Sequence, residues 1–261
     1  MRAGIRLNRY LAQSGIASRR HADDLIAKGA VRINGRVVRT LGTLVNYTDH
    51  VEVEGRIVQP PHEFTYLVAN KPAGMVTTMR DPQRRRTVAE LLPSGVHAVP
   101  VGRLDYDTGG VLLLTDDGEL AHHLLHPRFG VEKTYRAAIA GRLSAQDVRS
   151  LQRGVRLDDF RSAGAKIRVI AVRSDHSVVD LTVHEGRNRQ VRRMFEALGH
   201  PVLALTRTRF GPLRLGALAT GAVRPLTARE FAALERHRRP RVEYPRSKRD
   251  TTRISVTRGT S

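Results

Sequence analysis

The sequence of 261 residues contains neither cysteine nor tryptophan. Without cysteine the chain can form no disulfide, zinc–thiolate site or iron–sulfur cluster, and it can have no cysteine nucleophile. This composition fits a reducing compartment and predicts a cytoplasmic protein. Long apolar runs are missing as well, because no stretch approaches the roughly 18 residues that a membrane span requires. The N-terminal segment also lacks the apolar core of a signal peptide.

Acidic residues are few relative to basic ones. The chain has 45 Lys and Arg against 25 Asp and Glu, a formal net charge of +20 and a pI near 11.4. Such an excess predicts a polyanionic partner. Nucleic acid is favoured over an anionic membrane surface, because no basic amphipathic helix with a bulky apolar face is present. The length suits either one large domain or a medium domain with a small one.

The first 58 residues are predicted to form a small helix–helix–hairpin domain. Apolar residues at helical spacing indicate a helix over 5–15. Ser18 is typical of the N-cap of a second helix, which is predicted to end at Gly29. An Asn-Gly pair at 34–35 between two short apolar runs predicts a hairpin with a tight turn.

The rest of the chain is predicted to contain a linker, a second domain and a tail. A Pro-Pro pair indicates a linker over residues 59–63. Strand and helix patterns mix across residues 64–236 without regular alternation, which predicts an α+β domain with a mixed, largely antiparallel sheet. Residues 237–261 are basic and poor in apolar side chains, so disorder is expected there.

The most informative segment is GRLDYDTGGVLLLTDDGEL at 102–120. Asp105 and Asp107 lie there in a glycine-flanked turn that precedes a buried apolar strand. In an arbitrary protein such aspartates would most simply bond their own backbone. The segment closely resembles the central motif of the pseudouridine synthases, in which a Gly-Arg-Leu-Asp run carries the one catalytic aspartate. It is most similar to the branch of that family that modifies ribosomal RNA.

Three further segments resemble the same family in the expected order, and they are YLVANKPAGMVTT at 66–78, EKTYRA at 132–137 and HEGRNRQVRRMFEALGHPV at 184–202. The first is expected to be structural, with Pro72 and Gly74 shaping a turn beside the site. The second matches the motif that supplies an active-site tyrosine, here Tyr135. In the third, the basic residue that pairs with the catalytic aspartate corresponds to Arg192, with Arg189 as the second candidate.

The N-terminal segment at 6–38 resembles the small S-four-type RNA-binding domain, which a ribosomal small-subunit protein shares with some RNA-modifying enzymes. The resemblance implies that this domain binds RNA through basic side chains on one face. Those side chains are predicted to be Arg19, Arg20, Lys28, Arg32 and Arg36. Together the resembling segments cover most of residues 5–235.

The resemblance implies pseudouridine synthase activity, which breaks a glycosidic bond, turns the uracil and forms a carbon–carbon bond. A carboxylate can act as the nucleophile on the uracil ring or on the anomeric carbon, and the sequence does not choose between them. Asp105 takes this role, and Arg192 is expected to keep it ionised and oriented. Tyr135 is expected to stack on the uracil and to assist removal of the ring proton. No metal and no organic cofactor is expected.

The target base must be flipped out of folded RNA before a carboxylate can reach it. Arg103 matches the family position that helps to hold the RNA open. Further RNA contacts are predicted at Asn188, Arg189 and Gln190. The Asn-Arg pair replaces the aromatic–His pair expected of the small-subunit enzyme, so large-subunit (23S) ribosomal RNA is the favoured partner. The protein is expected to be a monomer.

The residues leave two other functions open. A non-catalytic RNA-binding or ribosome-assembly protein on the same scaffold would need the charge, but not Asp105, Tyr135 and Arg192 together. A carboxylate-dependent hydrolase, such as a glycosidase, would need a second catalytic carboxylate, for which Asp107 is the nearest candidate.

Overall fold

The structure is a computed structural model that describes residues 5–46, 49–59 and 64–238. Most of the predicted linker at 59–63 and of the predicted tail at 237–261 lies outside these ranges. Within them, no helix combines the length and the apolar character that crossing a membrane would require.

The N-terminal part consists of two helices packed on a small antiparallel sheet. Its helices are α1 (Leu7–Gln13) and α2 (Arg19–Lys28), and its strands are β1 (Ile5–Arg6), β2 (Val31–Ile33), β3 (Arg36–Val38), β4 (Leu44–Val45), β5 (Val51–Val53) and β6 (Arg56–Val58). The sheet order is β3-β2-β5-β6, while β1 pairs with β4. Buried residues of both helices and of the sheet form one hydrophobic core around Tyr10 and Ile26.

The predicted helix cap, helix end and hairpin turn of this part are confirmed. The Ser18 side chain caps α2, and Gly29 ends that helix with a φ of 75°. Asn34 and Gly35 have φ values of 49° and 78°, the left-handed pair that a tight hairpin turn requires. The first helix begins two residues later than predicted, because residues 5–6 pair with β4.

The larger part is built on one mixed sheet. Its strands are β7 (Tyr66–Lys71), β8 (Val99–Pro100), β9 (Thr108–Thr115), β10 (Lys133–Ala140), β11 (Lys166–Val172), β12 (His176–Val183), β13 (Val202–Phe210), β14 (Leu213–Arg214) and β15 (Val223–Pro225). Its helices are α3 (Gly118–Leu125), α4 (Ala145–Arg153), α5 (Gln190–Glu196) and α6 (Ala228–Arg238), with short 3-10 helices at Val88–Leu91 and Pro127–Phe129. The main order is β11-β12-β10-β13-β9-β7-β15, and every pair is antiparallel except β13 with β9. The predicted α+β class and largely antiparallel sheet are confirmed.

The two faces of this sheet are covered differently. Helices α4 and α5 pack on the half formed by β10, β11 and β12. Strand β9 is buried along its whole length, because Val111 and Leu113 face α3 and α6 while Leu112 and Leu114 face the 3-10 helix at 88–91. The active-site segments meet on the face that carries α4 and α5.

Strand β13 was not predicted from the sequence. Its residues, VLALTRTRF, include two arginines, a residue type that is not expected in a buried central strand. It lies between β10 and β9 and joins the two halves of the sheet. Strand β8 is two residues long and pairs with the last two residues of β9.

The parallel contact between β9 and β13 depends on Gly110. This residue has a φ of 104°, and a Cβ atom added to it would lie 2.2 Å from the carbonyl oxygen of Arg207. We expect Gly110→Ala to lower the free energy of unfolding in urea by at least about 2 kcal/mol, because both strain and backbone overlap oppose it. The control is Gly118→Ala at the start of α3, where an added Cβ meets nothing within 4 Å. That variant should be neutral or slightly more stable, and equal losses in both variants would contradict the prediction.

Candidate active site

A cleft of about 550 Å³ lies between the turn at 102–107, strand β10 and the segment that leads into α5. Seven of the residues predicted for catalysis or RNA contact line it: Asp105, Tyr135, Arg192, Arg103, Asn188, Arg189 and Gln190. The fold therefore brings three separate sequence motifs to one cavity.

Lys71, the last residue of β7, anchors the turn that carries Asp105. Its side chain is fully buried, and its Nζ donates to the carbonyl oxygens of Pro72 (2.9 Å), Asp105 (3.2 Å) and Thr108 (2.8 Å). An ammonium group has three N–H donors, so all of its hydrogen-bonding capacity is used. The sequence did not single out Lys71, although it stands in the Lys-Pro-Ala-Gly segment.

Two further contacts join the same segments. The Thr77 hydroxyl donates to the carbonyl oxygen of Leu104 (2.7 Å) and accepts from its N–H (3.2 Å). The N–H of Gly74, whose φ is 79°, donates to the carbonyl oxygen of Tyr106 (2.7 Å). The segment at 71–77 thus fixes the backbone on both sides of Asp105.

The Asp105 carboxylate is half-buried and faces the cleft. Within the described ranges it forms no hydrogen bond and no ion pair, although its backbone is held by Lys71 and by the N–H of Thr108 (3.1 Å). The same described residues contain no cluster of three or more His, Asp or Glu side chains that could hold a metal ion. The backbone of Asp105 is therefore held in place, while its carboxylate oxygens can accept hydrogen bonds from a bound molecule.

The prediction that Arg192 pairs with Asp105 is wrong, because Arg192 pairs with Asp107 instead. Arg192 is buried, and its Nη2 lies 3.1 Å from the carboxylate of Asp107 and donates to the carbonyl oxygen of the same residue (3.1 Å). Its Nη1 donates to the carbonyl oxygen of Val202 (3.2 Å), and Arg189 also approaches Asp107, at 3.5 Å. The tight turn from Asp105 to Thr108 separates the two carboxylates, and α5 presents Arg192 to the second of them.

Tyr135 lies in β10, directly opposite Arg207 of β13. Its half-buried ring contacts both hydrophobic clusters that flank the cleft. Its hydroxyl has no hydrogen-bond partner among the residues that the structure describes, so the group is available to a bound molecule.

The predicted RNA-contacting residues around α5 differ in exposure. Arg103 and Asn188 are exposed at the cleft, as an RNA contact requires. Arg189 is also exposed, and it forms an ion pair with Asp107. Gln190 is only 4% exposed, its Oε1 accepts from the N–H of Arg187 (3.1 Å) and its Nε2 donates to Glu185. Both amide contacts are made with the segment that precedes α5, and the role of Gln190 as an RNA contact stays a prediction.

The surroundings of Lys71 change the pKa of its ammonium group. Burial lowers the pKa of Lys71 to about 8, while the negative charges of Asp105 and Asp107 oppose this change and the positive charge of Arg207 adds to it. The Asp105 and Asp107 carboxylates therefore both favour the charged form of Lys71.

A family model described as RNA pseudouridylate synthase matches residues 65–197, about half of the chain. The ribosomal large subunit pseudouridine synthase B of Bacillus subtilis is 43% identical over 234 residues, which cover 88% of this chain and 95% of that protein. This chain belongs to the RNA pseudouridine synthase family. As a pseudouridine synthase it is an isomerase.

Two other comparisons agree with this assignment. An uncharacterised RNA pseudouridine synthase of Aquifex aeolicus is 41% identical over 233 residues, 88% of this pseudouridine synthase and 93% of that protein. A crystal structure of a pseudouridylate synthase is 31% identical, with a TM-score of 0.65 over 88% of this chain and 99% of that one. The fold and the family are therefore the same over most of the sequence.

The N-terminal part of this pseudouridine synthase matches the S4 domain over residues 5–51. All five predicted RNA-binding cations are exposed, and none has an ion-pair partner in the described part of the chain: Arg19, Arg20, Lys28, Arg32 and Arg36. Val31 is buried beneath the helices, so the alternate residue Arg32 projects from the opposite side of the small sheet. The expected single basic face is therefore divided between two sides.

The buried ammonium of Lys71 predicts a pH dependence of stability. Because its folded-state pKa of about 8 lies below the ~10.4 of a free lysine, the unfolded chain binds more protons between these values. The contribution of Lys71 to the free energy of unfolding is therefore complete above about pH 10.4, and it is lost as the pH falls through about 8. The wild-type protein should gain up to about 3 kcal/mol in free energy of unfolding over this window, and Lys71→Met should lack that gain.

Urea unfolding at several pH values measures this difference. The exposed-lysine variant Lys28→Met is the control, and it should keep the wild-type pH dependence. A Lys71→Met protein with the wild-type pH dependence would show that the buried ammonium is not its source.

Proposed function

We propose that this pseudouridine synthase isomerises a specific uridine of large-subunit ribosomal RNA, with Asp105 as the nucleophile. The substrate class is supported by the name of the Bacillus subtilis relative and by the S4 domain. The Asn188-Arg189 pair, which differs from the aromatic–His pair expected of a small-subunit enzyme, supports the choice of subunit. Ribosomal RNA as substrate also favours a cytoplasmic enzyme, and we propose that it acts as a monomer without a cofactor.

The proposal rests on the position of Asp105 and on the free oxygen atoms of its carboxylate. Its backbone is fixed by Lys71, while its oxygen atoms face the cleft without a partner among the described residues. A nucleophile needs this combination of a fixed position and free electron pairs. Attack on the uracil ring and attack on the anomeric carbon both suit this geometry.

The remaining predicted residues have supporting roles in this proposal. Tyr135 projects its free hydroxyl into the cleft, where it can stack on the uracil and assist removal of the ring proton. Arg103 is exposed at the cleft beside Asp105, where a long cationic side chain can hold the flipped-out state of the RNA. Asn188 and Arg189 add contacts to the RNA on the opposite wall.

Arg192 acts indirectly in this proposal. It binds both the carboxylate and the backbone carbonyl of Asp107, so it fixes the end of the turn that carries Asp105. The same contacts argue against a hydrolase with two catalytic carboxylates, because Asp107 is already held by Arg192 and Arg189.

The first experiment compares Asp105→Asn with Asp107→Asn. Asp105→Asn removes the nucleophile and should reduce isomerisation to below about 1% of wild type, with RNA affinity unchanged within about threefold. Asp107→Asn alters the same turn by the same chemical change but keeps the nucleophile, so it should retain at least about 10% of activity. Tritium release from RNA labelled at C5 of uridine measures the reaction, and circular dichroism verifies folding.

The substrates are transcripts of the large-subunit and small-subunit ribosomal RNA of the organism that encodes this chain. Release from the large-subunit transcript alone is expected, and release only from the small-subunit transcript would contradict the proposed substrate. Substantial activity of folded Asp105→Asn would reject the nucleophile.

The S4 domain is proposed to bind RNA through its unpaired cations. Replacing Arg19, Arg20 and Lys28 by Gln should make the salt dependence of RNA binding shallower, by up to about 2 in the slope of log K against log salt. Arg136, Lys166 and Arg168 serve as the charge-matched control, because each already pairs with Asp180 or Glu132 on the outer sheet face. Replacing these three control residues by Gln should change the slope less than the S4-domain variant does. Equal changes in the two variants would mean that the slope depends only on net charge.

A further inference from the structure

Arg207 in β13 is a buried cation that forms no ion pair within the part of the chain that the structure describes. It is 2% exposed, its Nε donates to the carbonyl oxygen of Val111 (2.8 Å), and its guanidinium lies 4.8 Å from the centre of the Phe210 ring. Neither terminal nitrogen has a hydrogen bond or ion pair among the described residues, and Nη2 is completely buried. Because burying an unpaired charge is costly, this arrangement indicates a missing anionic partner.

The position of Arg207 connects it with the proposed chemistry. It stands opposite Tyr135 in the ladder between β10 and β13, so both side chains project from the same face of the sheet. Lys133 precedes Tyr135 by two residues and therefore lies on that face as well. All three residues line the cleft that contains Asp105.

Lys133 is a second buried cation in the same cleft. It is 8% exposed, and its Nζ donates to the carbonyl oxygen of Val131 (3.1 Å). Burial and the positive charge of Arg207 both lower the pKa of the Lys133 ammonium, and Glu185 opposes this change only in part. Two cations that repel each other in a half-closed cleft form a site for an anion.

We infer that Arg207, with Lys133 beside it, binds a phosphate group of the nucleotide that enters the cleft. The inference rests on the proposed function, since a uridine placed at Asp105 brings its own phosphates with it. A guanidinium matches a phosphate through two parallel hydrogen bonds. A uracil carbonyl would be a neutral acceptor and would leave the two positive charges uncompensated.

This phosphate site would also help the reaction. The uracil must leave the ribose and turn before the new bond forms, so the sugar needs an anchor that is independent of the base. A phosphate held by Arg207 keeps the ribose in place against Asp105 during that movement.

The test measures binding of uridine, uridine 5′-monophosphate and uridine 3′-monophosphate to the full chain by equilibrium dialysis. Wild type should bind one monophosphate at least about tenfold more tightly than uridine, as expected for charge-assisted hydrogen bonds. Arg207→Gln should reduce this preference to about onefold. Arg209→Gln is the matched control, because Arg209 is on the same strand but lines a separate depression on the outer sheet face. It should retain the preference.

Two outcomes would overturn the inference. One is a wild-type protein that binds uridine and both monophosphates equally, which needs no variant. The other is a folded Arg207→Gln protein that keeps the wild-type preference. If Arg207→Gln does not fold, Arg207→Lys replaces it, since it keeps the charge and loses the fork; its preference should fall by about threefold or more, and an unchanged preference would count against phosphate binding.

The result is separable from the proposed nucleophile. Asp105→Asn should keep the monophosphate preference while it loses isomerisation. An active Asp105→Asn protein with a normal preference would reject the nucleophile and leave the phosphate site standing. Loss of the preference only in the Arg207 variants would support the site whichever way the nucleophile test ends.

Discussion

The ammonium group of Lys71 donates to three backbone carbonyls, two of which belong to the turn and strand that carry Asp105, the proposed nucleophile. Because a buried ammonium is stable only when its donors are satisfied, this contact fixes the relative position of β7 and the turn before β9. The Thr77 and Gly74 contacts extend the same connection along the turn. Asp105 can therefore remain without a side-chain partner and still be held in place.

The charges of the cleft are divided in a way that suits an anionic substrate. Asp107 is paired with arginines, whereas Asp105 is not, and the buried cations Lys133 and Arg207 lack carboxylate partners within hydrogen-bonding distance in the described part of the chain. The central strand β13 makes this possible, since it places Arg207 opposite Tyr135 and next to the start of β9. Glycine at the parallel contact lets the two backbones approach closely.

Local patterns in the sequence were sufficient for much of the fold. The cap at Ser18, the turn at 34–35 and the buried strand at 111–115 depend on neighbouring residues, so each was predictable. The motifs also identified the cleft, since Asp105, Tyr135 and Arg192 all line it. Strand β13 was missed because its second half, TRTR, contains no apolar residue and so shows no apolar alternation, although tertiary contacts bury Arg207.

The sequence by itself determined the family and the fold class and identified seven of the residues that line the cleft, because these follow from motif order and from patterns of neighbouring residues. Only the tertiary structure decided which charges meet. Arg192 pairs with Asp107 and not with Asp105, the Gln190 amide binds Glu185 and Arg187 ahead of α5, and Lys71 donates to the backbone carbonyl of Asp105. Such pairings depend on ångström-scale distances between residues far apart in the chain, which neighbouring residues do not determine.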